Sequence, residues 1–239
     1  RERIMPSARE IARMIDLSCV RADSSLAEIR EMATTARRHD CIAVFALPAH
    51  TPLLVDLVAD REDIVVGGTV GFPDGSATTA GKVAEAIELR EMGCNELDMV
   101  INLPWLKGGE LGRVAQDILA VVDAAEGAPV KAILECHYLT DHEIVQAADL
   151  AAECGVAFVK TGTGWAPTGA TLENTALIKK AVGERCGVKA AGGVRDLDTL
   201  LGMVEAGVTR FGIGVRTALS ILREFEAGNV DPATASEGQ

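Results

Sequence analysis

Positive charge is scarce in this sequence. Its 239 residues include 23 lysines and arginines against 35 aspartates and glutamates, so the formal net charge is 23 − 35 = −12. A protein surface of this sign repels nucleic acids and anionic membranes. We therefore expect no nucleic-acid or membrane partner, and an anionic substrate would need a local positive pocket.

The chain also lacks paired cysteine motifs and long apolar runs. Its six cysteines show no C-x-x-C spacing and stand at Cys19, Cys41, Cys94, Cys136, Cys154 and Cys186. An even number would permit three disulfides, but several of these positions fall in apolar runs or at helix ends, which favours reduced, buried thiols. Since the sequence contains no signal peptide and no membrane-spanning run, we expect a cytoplasmic protein.

Lysine is infrequent, and two of the seven lysines follow short apolar segments. Lys160 ends the apolar run 156–160 and precedes Thr-Gly-Thr-Gly, while Lys189 precedes Ala-Ala-Gly-Gly. An ammonium group at the end of a buried strand is costly to desolvate, so such a lysine often faces a reactive cleft. Two in one site would repel each other and favour a neutral, nucleophilic amine on one of them, as Schiff-base chemistry requires.

Short apolar runs alternate with amphipathic segments along the chain. Eight runs have the length of a strand: residues 11–17, 42–47, 64–70, 96–101, 130–135, 156–160, 187–190 and 210–213. Six segments between them carry alanines and acidic residues at helical spacing: 25–39, 79–92, 111–125, 141–153, 172–182 and 197–205. This alternation predicts parallel strands joined by helices.

Eight strand–helix units, with apolar residues on both strand faces, predict an α/β fold with a single (β/α)8 TIM barrel rather than an open sheet. The first run, 11–17, could instead be the end of an N-terminal helix. Because no linker divides the chain, we predict one catalytic domain over residues 1–227. The small and polar residues 228–239 predict a flexible tail.

In such a barrel, the catalytic side chains lie at the carboxyl ends of the strands. Six polar residues fall at these ends: Asp16, Asp98, Asn102, His137, Lys160 and Lys189. Their placement predicts an active site that contains both lysines.

Three segments carry a family resemblance: residues 96–102 (ELDMVIN), 158–164 (FVKTGTG) and 188–195 (VKAAGGVR). With residues 14–16 (MID) and 71–75 (GFPDG), in this order and spacing, they resemble the deoxyribose-phosphate aldolase family from about residue 11 to residue 222. The resemblance implies a class I aldolase, without a metal or other cofactor. Such an enzyme cleaves 2-deoxyribose 5-phosphate to acetaldehyde and glyceraldehyde 3-phosphate. We also expect a homodimer or a higher homo-oligomer.

The resemblance assigns roles to three residues. Lys160 matches the Schiff-base lysine of the family, Lys189 matches the second lysine, whose charge favours the neutral form of the first, and Asp98 matches the carboxylate that relays protons. A protonated imine withdraws electrons from the adjacent carbon, and its formation needs an acid or base within hydrogen-bond reach. Asp98 alone could equally form a structural salt bridge, but beside two lysines we favour the catalytic role.

Further residues are expected to bind the substrate. Gly192 and Gly193 follow the seventh strand, where barrel enzymes commonly bind phosphate through backbone N–H groups, and Gly164 is expected to help. The full expected set is Asp16, Asn102, Thr161, Gly164, Gly192, Gly193, Gly212, Arg216 and His137.

The chain departs from the family at several positions. Typical members have a Gly-x-Ser-Ser turn after the eighth strand, but residues 212–217 (GIGVRT) contain no serine. Arg216 could replace the lost hydroxyls or could cap an exposed helix face. Gly162 stands where members of the family usually have a serine, and the large apolar ring of Trp165 follows Gly164. His137 could be an acid/base residue or a hydrogen-bonded residue at the rim of the site. The only tyrosine of this sequence is Tyr138, so we expect the site to work without the C-terminal tyrosine that some members use.

Three functions stay open at this point. The first is cleavage of 2-deoxyribose 5-phosphate, and the second is Schiff-base aldol chemistry on a different aldehyde or sugar, with or without a phosphate group. The third is a non-catalytic barrel that binds a sugar phosphate. The presence of Lys160, Lys189 and Asp98 argues against the third, because a binding protein needs no neutral lysine.

Overall fold

The computed structural model of the chain describes residues 7–228. Its eight strands pair in parallel and in chain order, and the last also pairs with the first, so the sheet closes. The strands are β1 (Ile15–Cys19), β2 (Ala43–Ala46), β3 (Val65–Val70), β4 (Glu96–Val100), β5 (Val130–Ile133), β6 (Phe158–Lys160), β7 (Gly187–Ala191) and β8 (Arg210–Ile213). The predicted α/β fold with a (β/α)8 barrel is confirmed.

Ten α-helices occur within residues 7–228. They are α1 (Ala8–Ala12), α2 (Leu26–His39), α3 (Thr51–Val58), α4 (Thr79–Glu91), α5 (Leu103–Lys107), α6 (Leu111–Ala124), α7 (Asp141–Glu153), α8 (Leu172–Val182), α9 (Leu197–Glu205) and α10 (Val215–Gly228). Ser25, Thr140 and Thr171 begin α2, α7 and α8 with capping boxes, in which each hydroxyl accepts a bond from a backbone N–H three residues later. The positions of these helix starts are therefore encoded locally.

The first strand differs from the prediction. The apolar run 11–17 contains the end of α1 and the start of β1, because Ser7 caps a short helix that includes Ile11 and Ala12. The alternative prediction, that this run is the end of an N-terminal helix, is thus correct for its first residues, and the strand prediction is correct for its last residues. The sequence pattern also missed α3, whose sequence TPLLVDLV lacks the spaced alanines and acidic residues of the predicted helices.

The inward face of the barrel is charged, so the expectation of apolar residues on both strand faces is wrong for this face. In-register neighbours such as Thr69, Asp98 and Lys131 share one side of the sheet. Seven charged side chains from six strands are buried there: Asp16, Glu96, Asp98, Lys131, Lys160, Lys189 and Arg210. The apolar core lies instead between the outward strand faces and the helices.

An aromatic ring, Phe45, contacts this charged layer and lines the same cavity. Lys189 Nζ is 4.2 Å and Lys131 Nζ is 4.8 Å from the centroid of the Phe45 ring, a favourable distance for cation–π interaction. Gly67 leaves room for the ring, because a Cβ atom at position 67 would lie 2.0 Å from Phe45 Cε1. A larger residue at position 67 would displace the ring from the two ammonium groups.

Both chain ends extend past the described span. Residues 1–6 and 229–239 lie outside it, so of the predicted tail only Gly228 is included, at the end of α10. The single-domain boundaries, 1–227, stay a prediction. Over residues 7–228 the helices are too short or too polar to span a membrane. The six cysteines are free thiols, and five of them are buried.

Candidate active site

Two lysines and one aspartate meet inside the barrel. Lys160 ends β6, as predicted, whereas Asp98 and Lys189 lie in the middle of β4 and β7 rather than at their carboxyl ends. Lys160 Nζ donates a hydrogen bond to Asp98 Oδ2 at 2.8 Å, and Lys189 Nζ donates to the same oxygen at 2.7 Å. The fold therefore brings together the three residues that the sequence predicted as catalytic. A single carboxylate oxygen thus holds the two amines next to each other.

The two lysines are paired unequally. Lys189 Nζ also contacts Asp16 Oδ2 at 2.6 Å, whereas Lys160 pairs only with Asp98 among the described residues. Lys160 is also the more accessible of the two, with 7% of its surface exposed against 1% for Lys189. Lys160 is thus the amine that a substrate can reach more easily, and it has one carboxylate partner where Lys189 has two.

A second group of charges supports this centre from below. Lys131 Nζ lies 3.1 Å from Asp98 Oδ1 and also contacts Glu96. Arg210 donates to Asp16 Oδ1 at 2.8 Å through Nε and to Glu96 Oε2 at 2.9 Å through Nη2. Lys131, Glu96 and Arg210 were not among the site residues predicted from the sequence. Their signal was available, because each is a charged residue inside a predicted apolar strand.

The charges of this interior do not balance if every group is ionised. Four cations face three carboxylates, which gives 4 − 3 = +1 for the set Lys131, Lys160, Lys189, Arg210, Asp16, Glu96 and Asp98. An uncompensated buried charge is strongly unfavourable. Lys160 is the more exposed of the two cations of this set that line the cleft, and a lysine attacks a carbonyl carbon only as the free amine.

Both central aspartates are held in their ionised form. Burial by itself would raise the pKa of Asp98, but the ammonium groups of Lys131, Lys160 and Lys189 outweigh it and hold this pKa well below its ordinary value. Burial also opposes ionisation of Asp16, whose pKa is nevertheless lowered, chiefly by Lys189. Because these folded-state values are lowered, the resulting stability is present above the unfolded-state pKa and is lost as the pH falls through the folded-state value.

A cleft of about 310 Å³ opens above the two lysines. Six of the predicted site residues line it: Lys160, Lys189, Gly164, Gly192, Gly193 and Gly212. Asp98 and Asp16 lie beneath these residues, fully buried. The cleft therefore places the reactive amine next to a glycine-rich wall of backbone groups.

The other predicted site residues do not line this cleft. Thr161 is buried, and its hydroxyl donates to Ala191 O at 2.9 Å, which ties the end of β6 to β7. Asn102 caps α5 by accepting a bond from the Trp105 backbone N–H at 3.2 Å. His137 Nδ1 lies 2.6 Å from the Thr168 hydroxyl.

Arg216 lies in the first turn of α10 and faces a neighbouring groove, which also contains Glu28 and Glu31. The arginine that lines the cleft without an acidic partner is Arg195. It is exposed and forms no ion pair within residues 7–228. Arg21 also lines the cleft, but its guanidinium pairs with Asp23 and Glu28. Arg195 belongs to one of the family-like motifs, residues 188–195, but the sequence predicted no role for it.

A family model described as DeoC/LacD family aldolase matches residues 14–224. The chain belongs to the DeoC/LacD aldolase family. The deoxyribose-phosphate aldolase of Rhizobium meliloti (strain 1021) is 47% identical over 219 residues, which cover 92% of this chain and 88% of that protein. The deoxyribose-phosphate aldolase of Methanothermobacter thermautotrophicus is 42% identical over 214 residues, which cover 89% and 94%.

The solved structures agree with this assignment. The tetrameric deoxyribose phosphate aldolase from Aeropyrum pernix superposes on this chain with a TM-score of 0.84 at 25% identity, and the match covers 92% of this chain and 93% of that one. Groups of three or more His, Cys, Asp or Glu side chains suited to a metal ion do not occur over residues 7–228. Most polar side chains of the aldolase site come from the inward face of the barrel.

One departure from the family pattern has a steric reason in this DeoC/LacD aldolase. The buried Glu135 carboxylate contacts the Thr163 hydroxyl and accepts a bond from the Thr163 backbone N–H at 3.2 Å. A Cβ atom at Gly162 would lie only 2.7 Å from Glu135 Oε1. The serine usual at position 162 would collide with this carboxylate, so Gly162 and Glu135 are coupled.

A second departure changes the rim of the aldolase cleft. Trp165 is 46% exposed, and its indole N–H donates to Val20 O at 2.8 Å. The indole also meets the Phe72 ring edge-on, with 6.0 Å between the ring centroids. Trp165 thus joins the loop after β6 to the loops after β1 and β3, and adds an apolar wall beside the glycines.

Proposed function

We propose that this chain cleaves 2-deoxy-D-ribose 5-phosphate to acetaldehyde and D-glyceraldehyde 3-phosphate, through an imine on Lys160. The observation that carries the proposal is the accessible Lys160 amine in the cleft, joined to Lys189 through the single Asp98 Oδ2 atom. The name deoxyribose-phosphate aldolase, which its relatives carry, supplies the substrate. Incubation with the sugar phosphate should release both aldehydes, and the absence of both products would contradict the proposal.

Imine formation conserves the charge of the interior. The Lys160 nitrogen attacks C1 of the open-chain sugar, and the carbonyl oxygen becomes the hydroxyl of a carbinolamine. The Lys189 ammonium protonates this hydroxyl, which leaves as water while the nitrogen lone pair forms the C=N bond. Lys160 then carries the positive charge as a protonated imine and Lys189 is neutral, so the interior stays balanced.

Lys189 also exchanges the protons that cleavage of the C2–C3 bond requires. Neutral Lys189 accepts the proton of the C3 hydroxyl, the C2–C3 bond breaks, and its electron pair moves into the imine to give a neutral enamine. The C3 aldehyde leaves as glyceraldehyde 3-phosphate. Lys189 then protonates C2, and water releases acetaldehyde from Lys160. Asp98 stays ionised throughout and holds both nitrogens through its Oδ2 atom. These steps need no metal or other cofactor, because the protonated imine is itself the electron sink.

The phosphate is proposed to bind at the glycine-rich end of the cleft. Gly192 and Gly193 offer backbone N–H groups there, and α10 begins at Val215 beside Gly214, so its N-terminus adds further donors. Arg195 adds a positive charge to the rim of the cleft that no acidic side chain of residues 7–228 pairs with. This arrangement assigns to Arg195 the role that the sequence left open for Arg216.

Arg195→Ala is expected to raise the KM for deoxyribose 5-phosphate by about 10- to 100-fold, since it removes a hydrogen bond to a charged group. The KM for unphosphorylated deoxyribose should stay unchanged. Arg216→Ala is the matched control and should spare both substrates. Steady-state kinetics on the two sugars would test this. Equal damage to both sugars, or to neither, would remove Arg195 from the phosphate site.

We also propose a cytoplasmic homo-oligomer. All six cysteines are free thiols, as in a reducing compartment, and the Aeropyrum pernix relative is a tetramer. Side chains such as Ile87 and Leu119 are nearly half exposed on neighbouring helices α4 and α6, which fits burial in a subunit contact. Sedimentation equilibrium should give a mass of at least twice 25.1 kDa, and a monomer at micromolar concentration would contradict this proposal.

A further inference from the structure

Thr69 is a buried polar residue of the cleft that the steps above do not use. It lies near the end of β3, lines the cleft, and is only 1% exposed. Its Oγ1 atom has no hydrogen-bond partner among residues 7–228. A buried hydroxyl without a partner costs free energy, and valine would fill the same volume without that cost. The hydroxyl therefore has no structural use in the resting protein.

The register of the barrel fixes the direction of this side chain. Thr69 is paired with Asp98 on the neighbouring parallel strand, so the two side chains point to the same, inward side. Asp98 Oδ2 binds Lys160 Nζ at 2.8 Å. Thr69 consequently stands next to the carboxylate that holds the reactive amine. Ser18 also lines the cleft, but it is only half-buried and water can satisfy its hydroxyl.

The first chemical step needs a donor at this place. When the Lys160 nitrogen attacks C1, negative charge develops on the carbonyl oxygen, and a hydrogen-bond donor aimed at that oxygen speeds the step. The ionised Asp98 carboxylate cannot donate. Two of the three N–H groups of the Lys189 ammonium bind Asp16 and Asp98, and the third is the proton that Lys189 gives to the hydroxyl in the next step. The Thr69 hydroxyl is a neutral donor without a competing protein acceptor.

We propose that Thr69 donates a hydrogen bond to the C1 oxygen of the aldehyde while the carbinolamine forms. The inference rests on the imine chemistry proposed for Lys160 and adds a substrate-contacting residue to it. The Thr69 proton stays on Thr69 in this step. The C=O electron pair moves to oxygen, the N–C bond forms, and the proton that completes the carbinolamine hydroxyl comes from the attacking nitrogen.

The test compares Thr69→Val and Thr69→Ser with the parent enzyme. Imine formation with acetaldehyde alone is followed by quenching with borohydride at increasing times and measuring the adduct on Lys160. We expect the valine variant to form the imine about tenfold more slowly, from the loss of one hydrogen bond, and the serine variant to recover most of the rate. The thermal midpoint of the valine variant should equal or exceed that of the parent, which a structural hydroxyl would not allow.

Thr51→Val is the matched control. Thr51 begins α3, is fully buried, and likewise has an Oγ1 atom without a partner among the described residues, but it does not line the cleft. Its valine variant should resemble Thr69→Val in thermal midpoint and the parent in rate.

Three outcomes would overturn the inference. An unchanged rate in Thr69→Val would do so while leaving the proposed function intact. If Thr69→Val forms the imine with acetaldehyde at the parent rate and only its cleavage of the sugar is slower, the hydroxyl donates its hydrogen bond to the C3 oxygen instead. If the parent forms no imine at all, the proposed function fails together with this inference.

Discussion

Replacing Lys160 with arginine is expected to abolish cleavage of deoxyribose 5-phosphate, with a loss of at least about a thousandfold in kcat. Arginine keeps a positive charge beside Asp98, but its guanidinium does not lose a proton in proteins and cannot bond to a carbonyl carbon. The parent enzyme, reduced with borohydride in the presence of acetaldehyde, should carry a two-carbon adduct on the peptide that contains Lys160. The variant should carry none.

Lys107→Arg supplies the control for this experiment. Lys107 is exposed at the end of α5 and pairs with Glu143 at 2.9 Å, so the same substitution there should leave both cleavage and labelling unchanged. An adduct on Lys189 in the parent would reverse the assignment of the two lysines. Measurable turnover by Lys160→Arg would exclude an obligatory imine on this residue.

Lys189→Leu should slow imine formation at pH 7 by at least about tenfold and shift its onset to higher pH. The substitution removes one cation, so the fully ionised interior becomes neutral, with three cations against three carboxylates. Asp98 then has one ammonium partner fewer, so its ion pair with protonated Lys160 becomes stronger. A smaller fraction of Lys160 is neutral at a given pH, so the imine forms only in more alkaline solution.

The pH dependence of borohydride trapping with acetaldehyde measures this shift, with thermal unfolding recorded in parallel because loss of a buried charge can destabilise the barrel. Lys189→Arg separates charge from proton transfer. It keeps the positive charge, so its pH dependence should stay near that of the parent, whereas turnover should fall because guanidinium does not exchange the required protons. An unchanged pH profile in Lys189→Leu would remove Lys189 from the control of Lys160.

The sequence by itself determined the barrel and the centre of its site. Strand-length apolar runs that alternate with helical segments admit few arrangements, and the eight predicted strands all occur, although the first begins at Ile15 rather than residue 11. Lys160, Lys189 and Asp98 were recognisable because they stand in family-like motifs on three strands, β4, β6 and β7, that a closed barrel arranges around one interior. Their meeting therefore follows from topology, which the periodicity of the sequence encodes.

Only the tertiary structure decided which charges are paired. Arg210 and Asp16 are 194 residues apart and meet because β8 closes against β1. Whether a strand residue faces inward depends on the register of closure, which is set by long-range packing. For this reason the charged interior, with Lys131 and Glu96, did not follow from the sequence pattern.

The loops above the barrel were decided in the same way. Arg195 lines the cleft and Arg216 faces the next groove, although both follow strands in similar glycine-rich segments. Backbone conformation in a loop sets the direction of a side chain, and it depends on contacts such as that between Glu135 and Thr163, which sequence spacing does not contain. The orientation of Thr69 likewise required the register with Asp98, because a two-residue period places a side chain on one of two faces without saying which face is inside.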